Sequence, residues 1–230
     1  MIYNTEFIIP VYNEETRVKN LNHWIKWMKK NTRNSVLTLS LNGCTDNTEK
    51  ILKSINNQNF QIIKTNNKGR GYAIINALIK SKKKFISIGS IDNAWDKNFY
   101  QNAYKKIINN ENLFCVYGPK SHAKSKQNRI LIRKIISLIS VIFLKILFLG
   151  KIDQDTQCIK IFRYNNQFNK KLLAYNYFFD THFFLLNKKM KLEYYNVAVR
   201  VNDNNKNSKV KFKSLFEFIY EAFKYLFKKN

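Results

Sequence analysis

Short apolar segments alternate with amphipathic segments through the first half of the chain. Strands are predicted at residues 6–9, 36–40, 60–63 and 85–88, where runs of apolar and β-branched residues have the length of buried strands. Helices are predicted at residues 15–30 and 71–80, where apolar side chains recur three and four positions apart. A further helix is predicted after Thr45 and Asp46, either of which can cap it. This order predicts an α/β fold with a mostly parallel sheet and helices on both of its faces.

Polar loops follow three of the four predicted strands. They lie at residues 10–15, 41–46 and 90–96. Parallel strands end at one edge of their sheet, and ligands of such sheets bind outside the carboxyl ends of the strands. The sequence therefore predicts one polar crevice formed by these loops.

The second half opens with a strongly apolar stretch at residues 129–150, which Arg133, Lys134 and Lys145 interrupt. Its longest uncharged run, residues 135–144, is far shorter than the roughly 20 residues that span a bilayer. We therefore expect a helix that lies in the plane of a membrane surface. A buried core helix with a basic rim is the alternative.

The C-terminal segment has a similar pattern. Apolar residues recur at helical spacing, namely Phe212, Leu215, Phe216, Ile219, Phe223, Leu226 and Phe227. Lysines flank them at positions 211, 213, 224, 228 and 229. A basic amphipathic helix with aromatic residues suits an anionic lipid surface. The alternative is a terminal helix docked on the core.

Charge is the strongest feature of the composition. The 230 residues include 41 Lys and Arg against 15 Asp and Glu, a formal net charge of +26. Such an excess indicates an anionic partner, such as phosphate groups or an acidic lipid surface, unless it reflects only a biased genome. A nucleic-acid partner is disfavoured, because the basic loops contain no aromatic stacking platform and no known binding motif.

The cysteines and the N-terminal residues indicate the cellular compartment in which the protein is expected. Cys44, Cys115 and Cys158 are far apart and form neither a metal-ligand pair nor a disulfide framework, which suits a reducing environment. The first residues contain no signal-peptide pattern. We expect a cytoplasmic protein, peripheral on the inner face of the membrane.

Several motifs occur in a fixed order along the chain. They are Ile9-Pro10-Val11-Tyr12-Asn13-Glu14-Glu15, Asn42-Gly43-Cys44-Thr45-Asp46-Asn47-Thr48, Asn67-Lys68-Gly69-Arg70-Gly71, Ser90-Ile91-Asp92, Asp155-Thr156-Gln157-Cys158 with Lys160 and Phe162, Phe179-Asp180, and residues 202–210 with Ser208-Lys209. Together they resemble family 2 glycosyltransferases, over roughly 200 residues. The motifs from Asp155 onward resemble the subgroup that loads sugars onto polyprenyl phosphates. The resemblance implies the GT-A fold, a Rossmann-like, mostly parallel sheet flanked by helices, here with amphipathic membrane-interface helices.

The resemblance also implies a nucleotide-sugar donor. It places donor contacts at Pro10, Val11, Tyr12, Glu14 and Asn42. Lys68 and Arg70, in a loop that Gly69 and Gly71 open, are candidates for binding the diphosphate, since glycines let a ligand approach the backbone closely.

Asp92 is the candidate ligand for Mg²⁺ or Mn²⁺ and a candidate catalytic residue. A divalent cation bridging a diphosphate needs one or two carboxylates and would neutralise charge on the departing nucleotide. The sequence departs from the family here: Ser90 replaces the first acid of the Asp-x-Asp motif, and Leu41-Asn42 stands where two acidic residues are frequent. Asp96 is the candidate for a second carboxylate. Lysine or arginine could otherwise take over part of the metal's task.

The acceptor side is predicted from the later motifs. Asp155, Gln157 and Asp180 are candidate catalytic residues, and Lys120, Arg129 and Arg133 are candidates for holding a lipid phosphate. His182 occupies a position where the subgroup has a second acid, and a structural role is the favoured interpretation. The predicted function is sugar transfer from a nucleotide sugar to polyprenyl phosphate at the cytoplasmic membrane face.

Two alternatives remain open. A glycan hydroxyl acceptor would require a general base, for which Asp155 or Asp180 would have to serve. The other alternative is a degenerate protein that binds nucleotide and membrane without catalysis.

The predicted organisation has four parts. They are a nucleotide-sugar-binding half at residues 1–127, an apolar interfacial helix at 128–150, an acceptor-side completion of the same catalytic domain at 151–210, and a basic amphipathic helix at 211–230.

Overall fold

A computed structural model describes residues 1–55, 59–92, 94–203 and 212–227. The strands are β1 (Ile2–Tyr3), β2 (Thr5–Val11), β3 (Thr32–Arg33), β4 (Val36–Asn42), β5 (Gln61–Thr65), β6 (Phe85–Ile88), β7 (Leu113–Gly118), β8 (Lys126–Arg129), β9 (Ile159–Arg163), β10 (Glu193–Asn196) and β11 (Arg200–Asp203). The helices are α1 (Leu21–Asn31), α2 (Thr48–Ser54), α3 (Arg70–Lys80), α4 (Asn98–Asn109), α5 (Leu131–Leu147), α6 (Asn166–Lys170), α7 (Phe179–Lys189) and α8 (Phe212–Phe227).

A seven-stranded sheet forms the centre, in the order β5-β4-β2-β6-β9-β7-β10. Every neighbouring pair is parallel except the two that β9 makes with β6 and β7. The predicted parallel sheet is confirmed, and the four strands predicted in the first half lie next to one another in it. Two small parallel pairs, β1 with β3 and β8 with β11, complete the strands.

Aromatic clusters fill both faces of the sheet. Because side chains alternate along a strand, Phe7 and Ile8 of β2 point to opposite cores. On one face Phe7 packs edge-on against Tyr100 of α4, with ring centroids 5.3 Å apart. On the other face Phe183 of α7 packs against Phe162 and Phe168 at 4.9 and 4.8 Å. These two cores fix which helices cover each face.

The predicted helix at residues 15–30 is wrong in its first turns. A 3₁₀ helix, Glu15–Asn20, precedes α1 instead. The reason lies in the neighbouring loop: the Glu15 amide donates to Asp46 Oδ2 at 3.3 Å, and the Glu15 carboxylate accepts from Asn47. These contacts attach the first turn to the chain after β4, so it does not join the axis of α1.

Helix α5 exposes most of its apolar side chains. Leu144 is its buried residue, and Phe148 just after it is buried as well. The side chains that remain about half exposed or more are Leu131, Ile132, Ile135, Ile136, Leu138, Ile139, Ile142 and Ile146. The alternative of a buried core helix is therefore wrong. Within the described ranges, each helix is too short or too polar to cross a bilayer.

Helix α8 docks on the core along one side, as its alternative interpretation predicted. Phe218 and Ala222 are buried, and the Glu221 carboxylate accepts the backbone amides of Asn176 and Phe178 at 2.8 and 3.0 Å. The helix also exposes large apolar side chains, namely Leu215, Phe216, Tyr220, Phe223 and Phe227. The predicted flanking lysines 211, 228 and 229, and the side chain of Lys213, lie outside the described residues.

Substitution of Gly71 tests the close packing at the start of α3. A Cβ at this position would lie 2.1 Å from the Tyr175 carbonyl oxygen, which also accepts the Gly71 amide. Gly71→Ala should therefore lower the free energy of unfolding by roughly 3 kcal/mol, measured by urea titration.

Gly150→Ala is the matched control. A Cβ on Gly150 would meet nothing within 4 Å, but the residue has φ +75°, so only backbone strain of about 1 kcal/mol is expected. Equal losses in the two variants would contradict the packing described for Gly71.

Candidate active site

The loops after β2 and β4 are held together by side chains. Asn13 donates from Nδ2 to Thr45 Oγ1 at 3.0 Å, and its Oδ1 accepts the Thr45 amide at 2.8 Å. Asn13 has φ +50°, a left-handed conformation that asparagine tolerates. The Glu14 amide donates to Thr48 Oγ1 at 2.7 Å. These bonds give the crevice one rigid wall.

The predicted donor contacts of this first loop lie along that wall. Pro10 and Val11 end β2, and Val11 is fully buried. The Tyr12 ring is about 40% exposed, and the Glu14 carboxylate lies 3.2 Å from the Arg17 guanidinium. The structure brings these residues together, and their contacts with a donor remain a prediction.

Asn42 ends β4 with a buried acceptor at the same edge. Its side chain is almost fully buried, and Oδ1 has no hydrogen-bond partner in the described structure. The Oδ1 atom is itself buried from solvent, so the contact of Asn42 with a nucleotide remains a prediction.

Lys68 lies across the loop that follows β4. A Cβ on Gly43 would come within 3.0 Å of Lys68 Cγ, so the lysine stem passes directly over this glycine. The side chain is exposed. The lysine stem therefore lies against the loop after β4, and its contact with a diphosphate remains a prediction.

Arg70 begins α3 and is fixed on two sides. Its amide donates to Asn176 Oδ1 at 3.0 Å, and its Nε donates to Asp180 Oδ2 at 2.9 Å. About a third of the side chain remains exposed. The guanidinium is thus oriented by Asp180 and retains surface toward solvent.

Asp180 is a buried carboxylate between two cations. Lys160 Nζ lies 2.6 Å from Asp180 Oδ1, and the Lys160 side chain is fully buried. Burial raises the pKa of Asp180, but the charges of Arg70 and Lys160 outweigh it and lower the pKa to about 2. A carboxylate this firmly ionised is a weak base. Motif analysis noted Lys160 but missed its pairing, because only the fold brings residues 70, 160 and 180 together.

Asp155 and Gln157 contact the same lysine. Lys120 Nζ lies 2.6 Å from Asp155 Oδ2 and 2.8 Å from the Gln157 carbonyl oxygen, with both charged side chains about nine-tenths buried. The same Nζ lies 5.1 Å from the centroid of the Trp95 ring. The structure therefore joins two predicted catalytic residues to a predicted phosphate-binding residue. Sequence reasoning missed Trp95, which belongs to no motif.

Arg129 and Arg133 lie where β8 leads into α5. Arg129 donates to Ser137 Oγ at 3.1 Å and to Gln127 Oε1 at 3.4 Å. Gln127 in turn donates to the Lys120 carbonyl oxygen at 2.8 Å. Arg133 is in the first turn of α5 and partly exposed. Two of the three predicted phosphate-binding cations, Lys120 and Arg129, are thus connected through a glutamine that sequence reasoning did not single out.

Asp92 follows β6 at the centre of the edge. Its Oδ1 accepts the Ser90 hydroxyl at 2.6 Å and the Ala94 amide at 3.2 Å. The Ser90 carbonyl accepts the Trp24 indole N–H at 3.0 Å, which ties this loop to α1. Ser90, which replaces an acid of the family motif, therefore acts as a donor to Asp92.

The sequence that forms this sheet and crevice matches a known family. The sequence profile described as "Glycosyl transferase family 2" matches residues 6–196, most of the chain. The chain belongs to glycosyl transferase family 2. No curated protein matches its sequence.

The fold is that of a GT-A glycosyltransferase. Glucosyl-3-phosphoglycerate synthase from Mycobacterium tuberculosis, in complex with Mn²⁺, UDP and glucosyl-3-phosphoglycerate, is similar with a TM-score of 0.69 and 14% identity, over 98% of this chain and 79% of that chain. Its complex with Mn²⁺, UDP-glucose and phosphoglyceric acid gives the same values. Another crystal structure of the enzyme gives a TM-score of 0.62 and 15% identity, over 90% and 74% of the two chains.

The candidate metal ligands of this glycosyltransferase do not by themselves form a complete metal-binding site. No group of three His, Cys, Asp or Glu side chains gathers among the described residues. Asp96 does not join Asp92, because its carboxylate accepts the amide and side chain of Asn98 at the start of α4. Asp92 supplies one carboxylate, which fits a Mg²⁺ or Mn²⁺ whose other ligands are diphosphate oxygens and water.

His182 has a structural environment. It is buried between the rings of Tyr175 and Tyr225, with centroids 5.6 and 5.3 Å away, and Nδ1 accepts the Leu173 amide at 3.4 Å. Burial lowers its pKa to about 4, so the imidazole is neutral at physiological pH. This agrees with the interpretation favoured from the sequence.

Asp180→Asn should destabilise the protein strongly. The substitution leaves Lys160 buried without its carboxylate, and we expect the free energy of unfolding at pH 7 to fall by roughly 3 to 5 kcal/mol. The folded pKa of about 2 lies below the ordinary 3.8, so the stabilisation by Asp180 is complete above pH 4 and is lost as the pH falls through 2. The difference between wild type and variant should shrink correspondingly in denaturant titrations from pH 5 to pH 2.

Asp153→Asn is the control for this experiment. Asp153 lies 3.2 Å from Lys188 at an exposed position, and such a pair contributes at most about 1 kcal/mol. A pH-independent difference between wild type and Asp180→Asn would contradict the ion-pair interpretation.

Proposed function

We propose that this family 2 glycosyltransferase moves a sugar from a nucleotide-sugar donor to a polyprenyl phosphate. The protein would be peripheral on the cytoplasmic face of a membrane. The observation that carries the proposal is the exposed apolar surface of α5. This helix begins two residues after Arg129, which is linked to Lys120 through Gln127.

The apolar surface has the properties of an interfacial helix. Large exposed apolar patches on soluble proteins mark contact sites. Arg133, Lys134 and Lys145 provide the basic side chains that interact with anionic headgroups. Helix α8 adds the exposed rings of Phe216, Tyr220 and Phe227, and the contact of Phe148 with Tyr225 at 6.0 Å joins the two helices. Both would rest on the same membrane.

The ion pairs favour a phosphate acceptor over a glycan hydroxyl. A hydroxyl needs a general base, and Asp155 and Asp180 are the carboxylates assigned to that side. Asp155 is paired with Lys120 at 2.6 Å, and Asp180 is held between Arg70 and Lys160. A phosphate oxygen is anionic near neutral pH and needs no base. Lys120, Arg129 and Arg133 would bring this anion to an already anionic donor.

The reaction would be a direct displacement. An oxygen of the acceptor phosphate attacks the anomeric carbon, and the bond from that carbon to the nucleotide diphosphate breaks with inversion. The electron pair leaves on the diphosphate, whose charge Lys68 and Arg70 would stabilise. When bound, a divalent cation would neutralise further charge, and Asp92 is the residue to hold it. The similar synthase binds Mn²⁺ together with UDP.

A transfer assay tests the reaction. Detergent-solubilised protein is mixed with polyprenyl phosphate and labelled nucleotide sugars, with and without Mn²⁺. Label should enter the organic phase, and Asp92→Ala should reduce turnover by roughly 100-fold, since it removes an electrostatic contact to the leaving group. Asp153→Asn, on the surface, should keep wild-type turnover.

The molecule that receives the label decides how the assay is interpreted. Transfer to a glycan or to a soluble phosphorylated acid such as phosphoglycerate, with none to the lipid phosphate, would replace the proposed acceptor. Folded protein that binds nucleotide without any turnover would indicate a degenerate member of the family.

Vesicle binding tests the membrane surface. The double variant Ile132→Glu/Ile139→Glu alters two exposed side chains of α5. Each buried isoleucine contributes about 1.5 to 3 kcal/mol, so affinity for phosphatidylglycerol vesicles should fall by roughly 100-fold or more in co-sedimentation. Ile79→Glu is the control, because Ile79 is equally exposed but lies on α3. A similar loss from Ile79→Glu would refute the assignment to α5.

A further inference from the structure

A cavity of about 430 Å³ lies outside the loops assigned to the donor. It is formed by the chain after Asp92, at residues 94–96, together with β8 and β11. Its volume is within the range of small-molecule sites. The donor loops follow β2, β4 and β5 at one end of the sheet, whereas Trp95 in this segment contacts Lys120, which follows β7. The cavity is thus toward the opposite end of the crevice.

The three segments form a small ribbon with β11 in the middle. The Asp96 amide donates to the Arg200 carbonyl at 3.0 Å, and the Asn202 amide donates to the Ala94 carbonyl at 2.8 Å. On its other side β11 pairs with β8, with Arg200 opposite Lys126 and Asn202 opposite Asn128. Alternation along β11 directs Val201 into the core and leaves Arg200 and Asn202 on the outward face.

Two cations therefore lie side by side on the outward face. Arg200 and Lys126 are exposed, are opposite in register, and have no ion-pair partner among the side chains that the structure describes. The one lining carboxylate, Asp96, is engaged with Asn98. Like charges directly opposite on neighbouring strands are unfavourable. An anion between them would remove this repulsion.

Amides complete the lining. Asn128 Nδ2 donates to Asn202 Oδ1 at 3.2 Å, beside the two cations. Arginine binds phosphate through a planar, bidentate fork, and lysine binds it as a mobile point charge. Side-chain amides carry both donors and acceptors, so they can hydrogen-bond phosphate oxygens or hydroxyl groups of a ligand.

We propose that this cavity binds the phosphate group of a ligand other than the nucleotide-sugar donor, through Arg200 and Lys126. The ligand is a phosphate ester, either soluble or in a lipid headgroup. The second source is close at hand, since Ile130 alone separates β8 from α5. This inference does not depend on sugar transfer, because binding is measured without a donor.

Calorimetry with glycerol 3-phosphate and co-sedimentation with phosphatidylglycerol vesicles test the proposal on the whole chain. Lys126→Gln/Arg200→Gln removes both cations and should weaken binding of at least one probe about tenfold. Lys29→Gln/Lys105→Gln is the matched control, because it removes two exposed charges on α1 and α4. Neither substitution touches a buried side chain, and thermal unfolding in phosphate-free buffer should confirm that both variants are folded.

The outcomes distinguish a soluble phosphate ester from a lipid headgroup, and this cavity from the donor site. A selective loss for glycerol 3-phosphate would assign a soluble ester, and a selective loss for vesicles would assign a headgroup. Binding of glycerol 3-phosphate should persist in saturating UDP, whereas competition by UDP would place it at the donor site and overturn the proposal. Equal binding by the two double variants, or binding of neither probe by wild type, would also overturn it.

Discussion

The buried charge of Asp180 constrains the rest of the site. Its carboxylate requires both Lys160 on β9 and Arg70 at the start of α3, because an unpaired ion in this core would be strongly unfavourable. The pairing therefore joins the antiparallel strand in the middle of the sheet to the loop that carries Lys68 and Arg70. Gly71, the residue after Arg70, donates its amide to the Tyr175 carbonyl oxygen, an approach that leaves no room for a Cβ.

Two surfaces of different chemistry are built around the core that contains these ion pairs. One is the polar edge where Asn42, Asp92 and the cations of residues 68 and 70 meet, which suits a nucleotide diphosphate. The other is the apolar surface of α5 and α8, whose anchors Phe148 and Tyr225 lie in the same core as α7. The segment from Lys120 to Arg133 runs from the first surface to the second. The proposed transfer from a soluble donor to a lipid acceptor would need such an arrangement.

Much of the fold was predictable because it depends on local pattern. The spacing of apolar residues predicts three elements that the structure contains, namely the strand at residues 85–88 and the helices near residues 71–80 and 212–227. This spacing reflects which faces of each element are buried. The first helix was predicted wrongly because its opening turn is held by Asp46 and Asn47, more than 30 residues away in sequence. Motif order singled out Asp92 and the loops that are predicted to bind the donor. It did not reveal that Lys120 neutralises Asp155, since the two are 35 residues apart.

By itself the sequence determined the α/β class, the family, the polar loops at one sheet edge and the two amphipathic helices. These follow from periodicity and from motifs whose members are neighbours along the chain. The tertiary structure decided the strand order, the exposure of α5, the docking of α8 and every long-range ion pair. It also created the ribbon in which Arg200 lies beside Lys126, 74 positions apart in the chain. Such contacts depend on which segments pack together, and that is a property of the whole core.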